Sequence, residues 1–249
     1  TAKVPDERLD ILKELYKPRR TVAAEVTYTD IPPPPDGFGK TRGIGGEYLN
    51  ALQSSDALLI AVRAFENPSV PHIDETIDPF RDTENMLMEI VFSDLEILDR
   101  RLNKIEENLK GSKANERDKL NQEKLFLQRI KTGLESGIAV RDQELSVEEL
   151  RRISGFGFLS TKPIIIALNI GEQQLTLATD LERKLQQTIS ANNIGTAVIC
   201  AQIEMDLAQM DSEDERLFRR DLATGESSLN KMIRISYRIV DRISFFTVG

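Results

Sequence analysis

The sequence predicts an α/β fold in which a parallel sheet is interrupted by an inserted antiparallel helical hairpin. Ile164 to Leu168 form a continuous apolar run, which is typical of a strand covered on both faces in a parallel sheet. An amphipathic helix predicted over 181–189 separates this run from a second apolar strand predicted over 197–201. Strand, helix and strand in that order form the crossover unit of a parallel sheet. The hairpin is predicted from heptad spacing in the middle of the chain.

The middle of the chain carries apolar residues at coiled-coil spacing. From Glu84 to Leu109 they recur alternately every fourth and every third residue, at Val91, Leu95, Leu98, Leu102, Ile105 and Leu109. The segment 110–115 breaks the pattern, which then resumes at Leu120, Leu127, Ile130 and Leu134. A short connection between two such helices predicts an antiparallel coiled-coil hairpin. Ser146 and Glu149 have the spacing of a capping box, which predicts a further short helix over 147–153.

The two outer parts of the chain contain the remaining α/β elements. Residues 22–29 alternate and are rich in β-branched side chains, and residues 57–62 form an apolar run, so both predict strands. The segment 229–243 predicts a helix that packs on the sheet. We therefore divide the chain into a first α/β part over 1–83, a helical insertion over 84–157 and a second α/β part over 158–249.

Composition and charge limit the classes of function. The 249 residues include 33 basic and 41 acidic side chains, a net charge of -8, which argues against phosphate-backbone binding across the whole surface but leaves a local basic face open. The one cysteine, Cys200, lies in an apolar run, which favours a buried strand residue over a reactive thiol. No apolar stretch reaches the length of a membrane span and no leader opens the chain, so a cytoplasmic location without a membrane partner is expected.

A candidate nucleotide site follows the predicted strand that ends at Leu168. The carboxyl ends of strands are where parallel α/β sheets bind ligands, and Asn169 and Glu172 follow this strand at once. An Asn side chain there can hold neighbouring loops or contact a base, and the Glu172 carboxylate can accept hydrogen bonds from base N–H groups. A polar turn that only closes the strand is the alternative.

Five segments in a fixed order cover nearly the whole chain: Asp6–Leu9, Asp78–Asp82, Ser160–Pro163 with Asn169-x-x-Glu172, Cys200–Glu204 and Phe245–Gly249. In these segments the chain resembles the YchF/Obg-like ATPase branch of the Obg GTPases. The resemblance implies a P-loop NTPase domain with a Ras-like parallel sheet, a coiled-coil insertion and a following TGS domain. It also implies Mg²⁺ with ATP or GTP as cofactors, the ribosome as a partner, and no direct binding of DNA.

The resemblance assigns the base-reading residues. It places Asn169, Ile170 and Glu172 at the base, together with the segment Cys200, Ala201 and Gln202. In this branch Asn-x-x-Glu replaces Asn-Lys-x-Asp, a change associated with acceptance of adenine. An Asp that accepts from guanine N1–H and N2–H₂ would face an unpaired acceptor in adenine, whereas the longer Glu side chain need not occupy the same place. We therefore expect ATP to bind at least as well as GTP.

The phosphate-binding half departs from the family pattern. A Walker A loop needs Gly-x-x-x-x-Gly-Lys-Ser/Thr, and the one Gly-Lys-Thr triplet, Gly39 to Thr41, has Pro34 where the first glycine should stand. The prolines at 32–35 remove N–H donors and oppose a tight loop. In the family the Walker A loop and first strand precede the segment that begins at Val4. The sheet is therefore expected to be incomplete at its first strand, and ATP hydrolysis by this chain is expected to be near background.

Two further candidates complete the predicted site. Asp30 and Ile31 match the start of the family's Asp-Ile-Ala-Gly switch, so Asp30 is either a Mg²⁺-holding carboxylate or a residue that caps its strand. Residues 37–46 carry five glycines and are interpreted either as a switch segment or as a connector. His72, the only histidine, matches a family position where a histidine is proposed to activate water; a loop surface residue is the alternative.

Two hypotheses of function follow from these observations. The first is a YchF-type NTPase whose chain lacks the Walker A segment and the TGS domain. The second is a non-catalytic degenerate G-domain scaffold that binds a partner through its coiled-coil arm. A small RNA-binding module is poorly supported, because the basic clusters at 17–20, 100–101, 151–152 and 219–220 are short and scattered and no aromatic residues interleave them.

Overall fold

The structure of the chain is a computed structural model that describes residues 1–31, 44, 46–72, 75–189, 193–222 and 226–247. Its strands and α-helices in chain order are β1 (Ala2–Lys3), α1 (Glu7–Tyr16), β2 (Glu25–Val26), α2 (Gly46–Ser54), β3 (Leu58–Arg63), α3 (Pro79–Leu109), α4 (Ala114–Glu135), α5 (Val147–Ile153), β4 (Ile164–Asn169), α6 (Ala178–Thr188), β5 (Ile194–Ile199), α7 (Ala201–Leu207), α8 (Ser212–Asp221) and α9 (Ser228–Ile239). None of the described helices is both long and apolar enough to cross a membrane.

A parallel three-stranded sheet forms the centre of the fold, as predicted. Its order is β3, β4, β5, and both neighbours run parallel to β4. Every residue from Ile164 to Leu168 is buried, because α3 and α6 cover one face of β4 and α9 covers the other. The continuous apolar run from Ile164 to Leu168 therefore corresponds to a strand that is covered on both faces.

Close packing of α9 on the sheet depends on a glycine in β5. A Cβ added at Gly195 would lie 2.8 Å from Cγ2 of Ile235 and 3.3 Å from Cδ1 of Ile239. Met232 and Ile235 are buried against Ile165 and Ala197 on the same face. The absence of a side chain at position 195 thus lets the helix approach the strand.

The helical hairpin consists of α3 and α4, which pack through the predicted seam. The seam residues Leu98, Ile105 and Ile130 are 0% exposed. Ion pairs join Lys131 to Asp99 at 2.6 Å and Lys124 to Glu106 at 2.9 Å, and this pairing requires the helices to run in opposite directions. The predicted capping box before α5 is present, because the Ser146 hydroxyl accepts from the Glu149 N–H and the Glu149 carboxylate accepts from the Ser146 N–H.

A buried carboxylate fastens the base of the hairpin to the segment that leads into β4. Asp94 on α3 is fully buried, and its two carboxylate oxygens accept from the backbone N–H groups of Leu159 at 2.7 Å and Ser160 at 2.8 Å. Burial raises the pKa of Asp94 to about 6, although these hydrogen bonds and the nearby Arg141 act to lower it. The Arg141 guanidinium in turn donates to the carbonyl of Ser160 at 3.0 Å. The hairpin is therefore joined rigidly to the sheet.

Two predicted strands differ from the observed ones. Only Glu25–Val26 of the segment 22–29 is a strand, because its partner β1 is two residues long, and the pair forms a separate antiparallel sheet. The strand predicted over 197–201 lies at Ile194–Ile199, where its register with β4 places it, and the helix α7 begins at Ala201. Cys200 is buried as predicted, but it joins strand to helix and does not belong to the strand.

Candidate functional site

Asn169 joins three elements at the carboxyl edge of the parallel sheet. Its carbonyl accepts from the Ala64 N–H just after β3, at 2.8 Å. Its side-chain Oδ1 accepts from the Ala201 N–H at the start of α7, at 3.0 Å. The next residue, Ile170, is buried and donates its N–H to the Ile199 carbonyl at 2.8 Å. The sequence leaves two roles open for Asn169, holding neighbouring loops or contacting a base. Its side-chain oxygen holds the start of α7.

The other end of the Asn169 amide and the Glu172 carboxylate remain available on the same edge. Within the described residues, Nδ2 of Asn169 donates no hydrogen bond. Glu172 is exposed and opens the 3₁₀ turn Glu172–Leu177, and the turn is preceded by a hydrogen bond from the Gly171 N–H to Oε1 of Gln174 at 2.9 Å. An amide donor and a carboxylate acceptor three residues apart are the two groups needed to read the edge of a base.

The segment 200–202, which the family resemblance assigns to the candidate site, contacts this turn through a hydrogen bond to Asn169. Cys200 is buried, Ala201 gives its N–H to Asn169, and Gln202 is exposed with its amide directed to Asp206 at 3.2 Å. The segment therefore supports the turn through Ala201, while Gln202 is the member that reaches solvent.

His72 lies in the connection between β3 and α3 and contacts a carboxylate. Its Nε2 is 3.0 Å from Oδ2 of Asp82, and the His72 side chain is only 18% exposed, so it is not a simple surface residue. The second oxygen of Asp82 accepts from the Arg81 guanidinium at 2.8 and 3.0 Å. Arg63 shapes the preceding loop by donating to the carbonyls of Phe65 and Val70 at 2.9 and 2.6 Å.

Sequence reasoning did not assign Arg63 or Asp82 to the candidate site. Asp82 lies in one of the five segments that carry the family resemblance, but the resemblance assigned it no role. Arg63 is the one charged residue of the apolar strand β3 and lies at its carboxyl end, where the connecting loops of an α/β sheet carry binding residues.

Asp30 is exposed and follows β2, outside the three-stranded sheet. Its segment is tied to α9 by a 2.9 Å hydrogen bond between the Tyr28 hydroxyl and Ser236 Oγ. Among the described residues no three histidine, cysteine or acidic side chains cluster as a metal site. A Mg²⁺ ion that accompanies a nucleotide is held by one or two carboxylates with phosphates and waters, so a single carboxylate such as Asp30 fits that chemistry.

The other predicted phosphate-side features lie outside the described residues. These are the prolines at 32–35 and the Gly-Lys-Thr triplet at 39–41, together with most of the glycine-rich segment 37–46. The described part of the candidate site is therefore the turn from Asn169 to Glu172, the His72–Asp82 contact and Asp30.

The chain is similar to known proteins over nearly its whole length. It is 29% identical over 248 residues to the ribosome-binding ATPase YchF of Bacillus subtilis, and 31% identical over 251 residues to the protein of that name from Mycoplasma genitalium. Each match covers 99% of this chain and 67% of the relative, so the chain spans about two thirds of the length of these proteins. No family model matches the chain.

The structure also resembles a solved one. Its fold superimposes on the YchF GTPase of Schizosaccharomyces pombe with a TM-score of 0.79, at 24% identity, over 100% of this chain and 67% of that one. This likeness supports the predicted P-loop NTPase type of α/β fold. With 31% identity sustained across 67% of the Mycoplasma genitalium protein, the chain belongs to the YchF family.

Proposed function

We propose that this chain binds a purine nucleoside triphosphate through Asn169 and Glu172, accepts adenine as well as guanine, and acts in NTP hydrolysis linked to the ribosome. The observation that carries the proposal is the division of labour at Asn169. Its Oδ1 is engaged by the Ala201 N–H, which orients the amide so that Nδ2 remains as a donor. A fixed donor at the end of a parallel strand is a preorganised binding group.

The chemistry of the two groups supports relaxed base choice. N7 is an acceptor in both adenine and guanine, so an amide donor at Asn169 recognises a purine without distinguishing between the two. The Glu172 carboxylate accepts N–H groups, which adenine offers at N6 and guanine at N1 and N2. Since Glu172 is exposed on a short turn, its carboxylate is free to serve either base.

His72 is the residue that we propose assists hydrolysis. In this reaction water forms a bond to the γ-phosphorus, the bond to the β-phosphate oxygen breaks, and a proton leaves the water. The Asp82 carboxylate, 3.0 Å from Nε2, orients the imidazole and stabilises it once it carries the proton. Asp30 would contribute a carboxylate to the Mg²⁺ that neutralises the phosphates when the nucleotide is bound.

The ribosome enters the proposal through the relatives, which are named ribosome-binding ATPases. A cytoplasmic setting follows from that partner. If the chain binds ribosomes but no nucleotide, the scaffold hypothesis replaces the NTPase hypothesis.

The base-reading residues are tested by titrating the chain with fluorescent ATP and GTP analogues and following anisotropy. We expect comparable affinities, and we expect Glu172→Ala to weaken both by roughly 10- to 100-fold, since a hydrogen bond to a charged group is worth about 1.5–3 kcal/mol. Gln173→Ala is the matched control, because Gln173 is an exposed neighbour on the same turn.

Two results would contradict the proposal. One is a hundredfold preference for GTP, and the other is affinity that Glu172→Ala and Gln173→Ala change equally. Turnover is followed separately by phosphate release. Hydrolysis comparable with that of a Walker-containing relative, abolished by His72→Ala, would show that the chain assembles its phosphate site without a Walker A loop.

A further inference from the structure

A groove of about 490 Å³ lies where the hairpin meets α5, and none of the residues of the candidate base-reading turn lines it. Residues from both hairpin helices, from α5 and from the turn after α5 line it, among them Arg101, Lys119, Glu123, Phe126, Arg152 and Phe156. One arginine from each of two basic pairs, Arg101 and Arg152, therefore lies in the same groove, and the rings of Phe126 and Phe156 line it beside them. Along the sequence no aromatic residue interleaves these basic side chains, but the fold brings Phe126 and Phe156 beside them.

The groove is a positively charged site on an acidic chain. Its lining includes three basic side chains and one carboxylate, while the whole chain has a net charge of -8. Arg101 pairs with Glu123 at 2.6 Å, so that carboxylate is already neutralised. Among the described residues, neither Lys119 nor Arg152 has a carboxylate partner. Two cations thus remain to bind an anion.

The aromatic residues give the groove a second kind of contact. The Arg152 guanidinium lies 4.4 Å from the centroid of the Phe126 ring, which fixes the cation over an apolar surface. Phe156 stacks on the buried Phe158 with ring centroids 5.2 Å apart, which holds the Phe156 ring in place. Phe156 itself is half-buried, so part of its side chain remains exposed to the groove. Cations beside a rigid ring are the combination that binds a phosphate and stacks a base.

We propose that this groove binds single-stranded RNA, with phosphates at Lys119 and Arg152 and a base against Phe156. This inference rests on the proposed ribosome association and names the surface that serves it. An acidic peptide would satisfy the two cations but would leave the aromatic contact unused. The groove has the volume of a site for a small ligand, which suits one or two nucleotides of an unpaired loop.

The test measures the affinity of the full chain for a fluorescein-labelled single-stranded RNA 12-mer by anisotropy at several salt concentrations. We expect Arg152→Gln with Lys119→Gln to weaken binding at least tenfold at low salt and to reduce the slope of log K against log salt by about 1.4, since each phosphate contact on a single strand contributes about 0.7. We expect Phe156→Leu to weaken binding by roughly 5- to 100-fold with the slope unchanged.

Arg151→Gln is the matched control, because it removes the same charge from the adjacent exposed position on α5 but does not line the groove. Circular dichroism of each variant confirms that it is folded. RNA affinity that falls equally in Arg151→Gln and Arg152→Gln would overturn the inference, and so would polyglutamate that competes as well as RNA.

Co-sedimentation with purified ribosomes separates this inference from the proposed function. Loss of pelleting in the Lys119/Arg152 variant but not in Arg151→Gln supports both. If the chain pellets with ribosomes and the groove variants pellet equally, ribosome association stands and the groove assignment fails. If RNA binds at the groove and no chain pellets, the groove stands and the proposed ribosome function fails.

Discussion

Replacing the buried Asp94 with asparagine is expected to change how the stability of the chain depends on pH. Burial raises the pKa of Asp94 to about 6, from an ordinary value of 3.8, despite the hydrogen bonds from Ser160 and Leu159. The folded state therefore holds the proton more tightly than the unfolded state. Its contribution to stability is fully present below pH 3.8 and is lost as the pH rises through about 6.

The size of the effect follows from linkage. A pKa shift of one unit is worth about 1.4 kcal/mol, so between pH 4.5 and 7 the wild type should lose about 2 kcal/mol of unfolding free energy through this group. Asp94→Asn abolishes the titration. It also leaves one of the two N–H groups of Leu159 and Ser160 facing an amide NH₂, at a cost of about 1–3 kcal/mol that does not depend on pH.

The measurement is urea unfolding followed by circular dichroism at half-unit steps from pH 4.5 to 7. The difference between wild type and Asp94→Asn should change by about 2 kcal/mol across this range, with the variant gaining relative to wild type as the pH rises. Asp99→Asn, on the same helix but in an exposed pair with Lys131, is the matched control and should follow the wild type closely. A constant offset between wild type and Asp94→Asn would refute the reasoning.

Two other substitutions test the packing and capping of the fold. Gly195→Ala places a Cβ 2.8 Å from Cγ2 of Ile235 and should destabilise the chain by about 1–3 kcal/mol in urea; adding Ile235→Ala should recover part of that loss, whereas strict additivity of the two changes would contradict the contact. Ser146→Ala removes the hydroxyl half of the capping box at α5 and should cost about 1 kcal/mol; Ser154→Ala at the other end of the same helix is the comparison, and equal losses would argue against the cap.

The parts of the fold that the sequence predicts are those with a local or periodic cause. The seam of the hairpin follows from heptad spacing, the start of α5 from Ser146 and Glu149, and β4 from an apolar run that only a doubly covered strand tolerates. The length of the strand predicted over 22–29 is overestimated. Alternation indicates β-propensity, but it does not give the length of the partner strand, and the partner β1 has only two residues.

The parts that the sequence does not predict depend on contacts between distant segments. Asp94 lies beside the hydrophobic seam and would be assigned to a solvated face, yet its partners are 65 and 66 residues away. The groove at Phe126 likewise combines side chains from three helices and the turn after α5, so its basic residues look scattered until the chain is folded. The periodicity of apolar residues along the chain does not indicate which distant segments come into contact.

The position of the turn that we propose reads the base depends on contacts made by residues later in the chain. Ala201 holds Asn169 only if α7 is fixed, and α7 is seven residues long. Glu204 fixes it by accepting two hydrogen bonds from Arg219 on α8, at 3.0 and 2.8 Å, and two from Ser228 at the start of α9. Burial opposes the charge on Glu204, but the hydrogen bonds from Arg219 and Ser228 prevail and lower its pKa. Because α9 packs on β4 and β5, the sheet that presents Asn169 also anchors, through Glu204, the helix that orients it.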